Sequence, residues 1–183
     1  QDLQSSLGPD RVICLARDIG LPVFLSTQAS VSNAESLLFY YTTCGIRHFV
    51  LARECSLDDI HSIRSTLHTR VGTDADTIQL EVFAHGAMCV SLSGRCFMSQ
   101  FEHGMSANRG ACLQPCRRSY TITCDDQDTS FSLGPEYVMS PKDVCTLPFI
   151  EKLIDAGIDS LKIEGRNRSP EYVSAVTSAY RRA

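Results

Sequence analysis

Strand-like and helix-like segments alternate along most of this 183-residue chain, and a single long stretch without a period interrupts them. Alternation of that kind predicts an α/β fold with a parallel sheet. About five strand–helix units can be read, whereas a complete eight-unit barrel takes ~250 residues. The expected architecture is therefore a partial (β/α) barrel, TIM-like, that holds the C-terminal units and lacks the opening ones. An open doubly wound sheet is the second choice. One domain is expected over residues 1–183, with a cysteine-rich insertion over 84–135.

Each element has its own signal. Val23-Phe24-Leu25-Ser26 reads as a short buried strand. Ser32 and Glu35 then form a capping box, in which the hydroxyl accepts from the third helical N–H and the carboxylate returns to the cap N–H. Ala34, Leu37, Leu38 and Tyr41 follow at helical spacing, and Gly45 ends the helix. His48-Phe49-Val50-Leu51-Ala52 is the next strand. Ser56 and Asp59 make a second box, and Leu57, Ile60, Ile63 and Leu67 give the following helix its apolar face. A third strand with alternation spans Ile78 to Phe83.

Residues 84–135 are rich in Gly, Ser and Cys and show no sustained period. A stretch that long inside a compact domain is functional or disordered, and its cysteines and arginines favour function. Afterwards Tyr137-Val138-Met139 reads as a short strand, and Ser140-Pro141 and Leu147-Pro148 as helix starts. Phe149, Leu153 and Ile154 are expected to face a core, with Gly157 stopping that helix. Ser160 to Glu164 is a strand, and Ser169-Pro170-Glu171 caps a last helix carrying Val173, Val176 and Tyr180.

Composition excludes some classes. Hydrophobic residues are 43% and charged residues 21%, as in globular proteins. No apolar run reaches the ~20 residues of a membrane-spanning helix. The first residues, Gln1-Asp2-Leu3-Gln4, show no signal peptide and no initiator Met, so the chain reads as a fragment or a trimmed form. A net charge of −4 does not suggest a nucleic-acid binder as a whole. Its distribution is informative: Gly86 to Arg118 holds four arginines against one acid, Glu102. Asp125, Asp126, Asp128 and Glu136 follow with no base among them. Nine cysteines, an odd number without a secretory signal, point to a reducing, cytoplasmic setting and to metal or redox chemistry.

Besides Cys124, four of the nine lie in the aperiodic stretch: Cys89 and Cys96, with six residues between them, and Cys112 and Cys116, with three between them. Four thiolates at one point form a soft site suited to zinc or to an iron–sulfur cluster. Zinc ribbons favour two short C-x2-C pairs, so the wide first spacing favours iron–sulfur. Gly86, Gly94 and Gly110 would let backbone N–H groups approach the sulfurs. Cys14, Cys44 and Cys55 read as ordinary buried thiols. Cys145, placed on a helix, reads as core rather than as an alternative ligand, and Cys124 is unassigned.

Glu81-Val82-Phe83-Ala84-His85-Gly86-Ala87-Met88-Cys89 with Ser93-Gly94-Arg95-Cys96 resembles the signature of the peptidase U32 family. Asn108 to Arg117, Ser140-Pro141-Lys142-Asp143, Leu161 to Arg166, Ser26-Thr27-Gln28-Ala29 and Leu51-Ala52-Arg53-Glu54 fit the same family. The resemblance covers about residues 22–183. It implies a barrel-type domain and a 4Fe–4S cluster held by Cys89, Cys96, Cys112 and Cys116. It also implies oxygen-independent hydroxylation of an RNA base, either a tRNA uridine, with prephenate or a similar small carboxylate required, or an rRNA cytidine. Other branches hydroxylate ubiquinone in pairs, and the original label was collagenase-like protease. The retained Cys112-x3-Cys116 pair places this chain nearer the RNA branches.

The candidate catalytic residues are His85, Glu81 and Glu164, and the candidate substrate-binding residues are Arg95, Arg117, Lys162 and Arg166. Lys162 alternates with Leu161 and Ile163, so it should point into the barrel with Glu164 as its partner. Phe97, Phe101 and Tyr120 are candidates for stacking on splayed RNA bases. The competing readings are a peptidase, with His85 four residues before a nucleophilic Cys89, and a non-catalytic metal-stabilised module. Neither a His-Glu-x-x-His helix nor a Gly-x-Ser-x-Gly elbow is present.

Overall fold

A computed structural model describes residues 9–126, 129–134, 139, 141–166 and 168–183. Helix α1 (Pro9–Asp18) precedes a strand–helix series of β1 (Phe24–Leu25), α2 (Ala34–Cys44), β2 (His48–Val50), α3 (Leu57–Val71) and β3 (Gln79–Gly86). Next come a short helix α4 (Met98–His103) and a hairpin of β4 (Tyr120–Cys124) and β5 (Thr129–Leu133). The series closes with β6 (Val144–Cys145), α5 (Ile150–Asp155), β7 (Ser160–Ile163) and α6 (Pro170–Arg182).

β1, β2 and β3 pair in parallel, β7 pairs in parallel with β3, and β6 is antiparallel to the end of β3. The α/β class with a parallel sheet is thus observed, and among the described residues the sheet is open. Register places Leu25, Phe49 and Leu80 side by side, and all three are buried. Leu37 and Leu38 of α2 and Ile60, Ile63 and Leu67 of α3 cover that face. By the period of two, the opposite face carries Phe24, His48 and Gln79 in one row, then Val50, Glu81 and Ser160, then Phe83 and Lys162.

Several expected signals take their predicted form. Ser56 and Asp59 make both halves of the capping box. Gly45, at φ 69°, ends α2 in the left-handed conformation that glycine adopts without strain. Pro148 opens the turn leading into α5. Others differ. The cap of α2 is Asn33, whose side chain accepts from the Ser36 N–H at 2.8 Å, so the Ser32–Glu35 box is displaced by a better-placed neighbour. Ile150 and Leu153 face the core, while Phe149 and Ile154 are exposed, because α5 starts two residues later than Pro148 suggested. Tyr137, Val138 and Ser140 lie outside the described residues. Met139 belongs to no strand, Pro141 opens no helix, and the strand in this region is Val144–Cys145. Cys145 is therefore an exposed strand residue rather than a helical core one.

β3 runs three residues past its predicted end. A bulge falls between Phe83 and His85: Phe83 pairs with Lys162, and His85 pairs with the next residue, Ile163. One extra residue on β3 reverses the facing of whatever follows it. Phe83 stays on the open face, and His85 turns to the side of α6.

Candidate functional site

The 84–118 segment folds back across the ends of β1 and β2 and is fastened there by polar pins. The Ser93 hydroxyl, 1% exposed, accepts from the Arg53 N–H at 3.0 Å and donates to Glu54 Oε2 at 2.8 Å. The Ser93 N–H donates to Glu54 Oε1 at 3.1 Å. Gly94, at φ +74°, lies so close to the turn after β1 that a Cβ would stand 2.4 Å from the Gln28 carbonyl oxygen. A Cβ on Gly86, at φ +108°, would stand as close to the Glu164 carbonyl oxygen. Gly86 and Gly94 thus let the segment touch the scaffold backbone, whereas the sequence suggested that they served the sulfurs.

A third pin is Arg117, which is 12% exposed in its side chain. Its guanidinium donates to Asp143 Oδ1 at 2.7 Å and to the Met88 carbonyl at 3.2 Å. Arg168 pairs with the second oxygen of Asp143. Arg117 therefore braces the Cys116 arm against the Cys89 arm, and its charge is satisfied within the chain.

These pins close a cavity of about 80 Å³ lined by Cys89, Cys96, Cys112 and Cys116. The four thiols lie within electrostatic range of one another. Burial pushes the Cys96 and Cys116 thiols up, and the neighbouring sulfurs add to the rise. The Met98 N–H opposes the rise at Cys96, and the Gln114 N–H donates to Cys112 Sγ at 3.3 Å. Gln114 makes that approach from φ 54°, a left-handed conformation that is uncommon for a residue with a side chain. Among the described residues, no three His, Cys, Asp or Glu side chains are grouped closely enough to hold one metal ion. The sulfurs ring a cavity rather than meeting at a point, as the spacing had suggested. Four thiols lining one cavity are a donor set suited to zinc or to an iron–sulfur cluster.

One wall of the cavity is cationic. Arg53, just past β2, lies with its guanidinium 4.0 Å from the Phe83 ring centroid and 3.9 Å from Glu164 Oε2. Its side chain is 16% exposed, and its Nε is buried with no hydrogen-bond partner. Burial lowers its pKa below the ordinary value, while Cys89 and Glu164 work against that and Arg166 adds to it. Arg166 and Glu164 line the same cavity, and the Glu164 carboxylate accepts from the Arg166 N–H at 2.8 Å. Gln28 reaches the cavity from the turn after β1. The sequence reading quoted Arg53 and Gln28 without assigning them a role. The available signal was position, since each lies three residues beyond a strand, on the face where α/β folds carry their chemistry.

Of the predicted residues, the cavity gathers the four cysteines, Glu164, Arg117 and Arg166. Arg95 is exposed and not part of its lining. His85 packs between Tyr172 and Tyr180, with Nδ1 3.5 Å from the Tyr180 hydroxyl, on the far side of the bulge. Glu81 lies on the open sheet face and accepts from Lys162 Nζ at 3.0 Å and the Ser160 hydroxyl at 3.2 Å. His48 Nε2 is also 3.2 Å from that carboxylate. Burial alone would raise the Glu81 pKa, but Lys162, His48 and Ser160 outweigh it and hold the carboxyl below its ordinary range. The partner of Lys162 is therefore Glu81, not Glu164, because Glu81 lies beside it on the neighbouring strand, whereas β7 ends at Ile163 and Glu164 turns to Arg53 and the Arg166 N–H.

The model of peptidase family U32 matches residues 11–183. A collagenase from Porphyromonas gingivalis strain W83 is 45% identical over 170 residues, which is 92% of this chain and 41% of its own. The tRNA hydroxylation protein P1 of Bacillus subtilis strain 168 is 40% identical over 164 residues, 87% of this chain and 36% of its own. The 23S rRNA 5-hydroxycytidine synthase of Escherichia coli K12 is 41% identical over 156 residues, 85% of this chain and 22% of its own. The chain thus spans less than half the length of these relatives. No solved structure matches it.

Proposed function

The chain belongs to peptidase family U32, and from that premise we propose that it carries the iron–sulfur centre of an enzyme that hydroxylates a base in RNA. The observation that carries this reading is the convergence of Cys89, Cys96, Cys112 and Cys116 on one cavity with a cationic wall. The names of the Bacillus and Escherichia relatives supply the reaction class: a tRNA uridine or an rRNA cytidine is the proposed target. The four thiolates would hold a 4Fe–4S cluster, which when bound supplies one-electron chemistry.

The remaining residues do the binding. The buried Arg53 Nε has no hydrogen-bond partner, which leaves a donor for an anion beside Arg166, and a small carboxylate of the prephenate kind suits a planar guanidinium. Phe83, stacked under Arg53, keeps water from that side and fixes the plane of the guanidinium. Phe97 and Phe101, 58% and 95% exposed, offer ring faces for an unstacked base. The polar side chains of His48, Glu81 and Lys162 on the open sheet face are read as one side of a barrel interior, so the sheet is proposed to be part of a TIM-like barrel.

Relatives named as collagenases favour a peptidase as the second reading. A thiol peptidase needs a histidine base near its nucleophile. Among the described residues lining the cavity there is none, and His85 is turned away from Cys89.

The experiment is nucleoside mass spectrometry of tRNA and rRNA from cells lacking the gene for this protein. Loss of one hydroxylated uridine or cytidine, restored by the wild-type gene and not by Cys112→Ala, is expected. Unchanged nucleosides, together with gelatin cleavage that survives removal of iron, would move the assignment to the peptidase.

A further inference from the structure

A second pair of sulfurs lies in contact at the opposite end of the sheet from the cavity. Cys14 is on α1 and Cys44 is the last residue of α2, just before β2, and their Sγ atoms are 3.6 Å apart. They are 30 positions apart in sequence, so the fold itself creates the contact. Neither is in a disulfide. Cys14 is half-buried and packs with Ile13 on the core, while Cys44 is fully buried. Arg17, one helical turn after Cys14, pairs with Asp18 and stands within electrostatic range of both sulfurs. Its side chain lies over Gly45, where a Cβ would meet Arg17 Cδ at 3.3 Å.

We propose that Cys14 and Cys44 are a peroxide-oxidisable dithiol, a modification site at which an intramolecular disulfide fastens α1 to the end of α2. The Cys14 sulfur attacks one peroxide oxygen, the O–O bond breaks, and Cys14 becomes a sulfenic acid as one water leaves. The Cys44 sulfur then attacks the sulfenic sulfur, the S–S bond forms, the S–O bond breaks, and the hydroxyl departs as a second water with the Cys44 proton. Two thiols and one peroxide give one disulfide and two waters; the thiols lose two electrons and the peroxide gains them. The sulfurs need to close from 3.6 Å to about 2 Å, a distance that side-chain rotation can cover. The bond matters because α1 is loosely held: Leu15 and Ile19 in and beside it are exposed. Closing the loop between residues 14 and 44 restricts the unfolded chain and anchors that helix.

Peptide mapping of the native chain after graded hydrogen peroxide tests this. Trypsin releases residues 12–17, which hold Cys14, and residues 18–47, which hold Cys44. The two peptides should appear joined at the lowest peroxide, before oxidation of the exposed Cys124 and Cys145, and dithiothreitol should separate them. The oxidised wild type should unfold several degrees higher than the reduced form, and Cys14→Ser should lose that shift. Residues 12–17 and 18–47 both remaining alkylated while Cys124 and Cys145 oxidise would overturn the proposal, as would a Cys14–Cys44 link that forms only in denaturant.

Discussion

The strand–helix scaffold and the segment from residue 87 to 118 bury opposite kinds of side chain. In the scaffold Leu37, Phe49, Leu51, Ile63, Leu67, Ile78 and Leu80 are all below 2% exposed, so transfer of apolar surface from water holds it together. In the segment the fully buried side chains are Ser93, Ser99 and Pro115, while Leu92, Phe97 and Phe101 stand in solvent. Hydrophobic burial cannot hold such a segment. Its order rests on a few polar pins to strand ends and, in the proposed function, on the group its thiols bind. The difference teaches where each property lives: stability in the sheet and its helices, chemistry in a segment that the scaffold only positions.

Breaking the scaffold should cost most. Phe49→Ala should destabilise the whole chain by about 3–5 kcal/mol in denaturant unfolding. A loss below 1 kcal/mol would mean that the core is not what holds the sheet. Gly94→Ala comes next, because the new Cβ meets a backbone oxygen and the left-handed φ is strained, together about 1–3 kcal/mol. The effect should be local: proteolysis between Cys89 and Cys116 should quicken while the main unfolding transition stays in place. A cooperative loss across the whole chain would erase the distinction between the two regions.

Glu81→Gln probes the open face of the scaffold. The folded carboxyl titrates below its ordinary value, so its contribution is present above the unfolded pKa and is lost as pH falls through the folded one. The variant should lose about 1–3 kcal/mol at neutral pH and show a flatter acid limb. An unchanged acid limb would mean that the contacts with Lys162, His48 and Ser160 do not persist in solution. The smallest effect is expected at Phe101→Ala. Stability should move by no more than about 0.5 kcal/mol, while binding to single-stranded RNA should weaken by about 1–3 kcal/mol. A stability loss as large as that of a core residue would show that the exposed ring is covered in solution.

The same contrast explains what was legible in the sequence. Periodicity found α2, β2, α3 and the start of β3, because local pattern and burial agree there. Two capping-competent residues side by side, Ser32 and Asn33, left the start of α2 open by one position. The bulge after Phe83 breaks the period of two, so the last residues of β3 and the direction of His85 were hidden, and the Lys162–Glu81 pair depends on strand pairing between residues 81 positions apart. The hairpin of β4 and β5 had a signal in the alternation of Tyr120 to Cys124 and Thr129 to Leu133 around an acidic turn, and it was missed. The cysteine quartet was visible from spacing. The docking of Ser93 on Glu54 and Gly94 on Gln28 was not, since pins between residues about 40 or more positions apart leave no local trace.

The central claim is that the 87–118 segment is organised around one thiolate-bound iron–sulfur group. Its most direct test is anaerobic reconstitution with iron and sulfide, followed by iron and acid-labile sulfide assay on the wild type and on Cys89→Ala, Cys96→Ala, Cys112→Ala and Cys116→Ala. The wild type should retain iron and sulfide in near-equal amounts, and each variant should lose most of both while keeping its far-ultraviolet circular dichroism. A wild type that stays iron-free, or variants that bind as much iron as the wild type, would contradict the account.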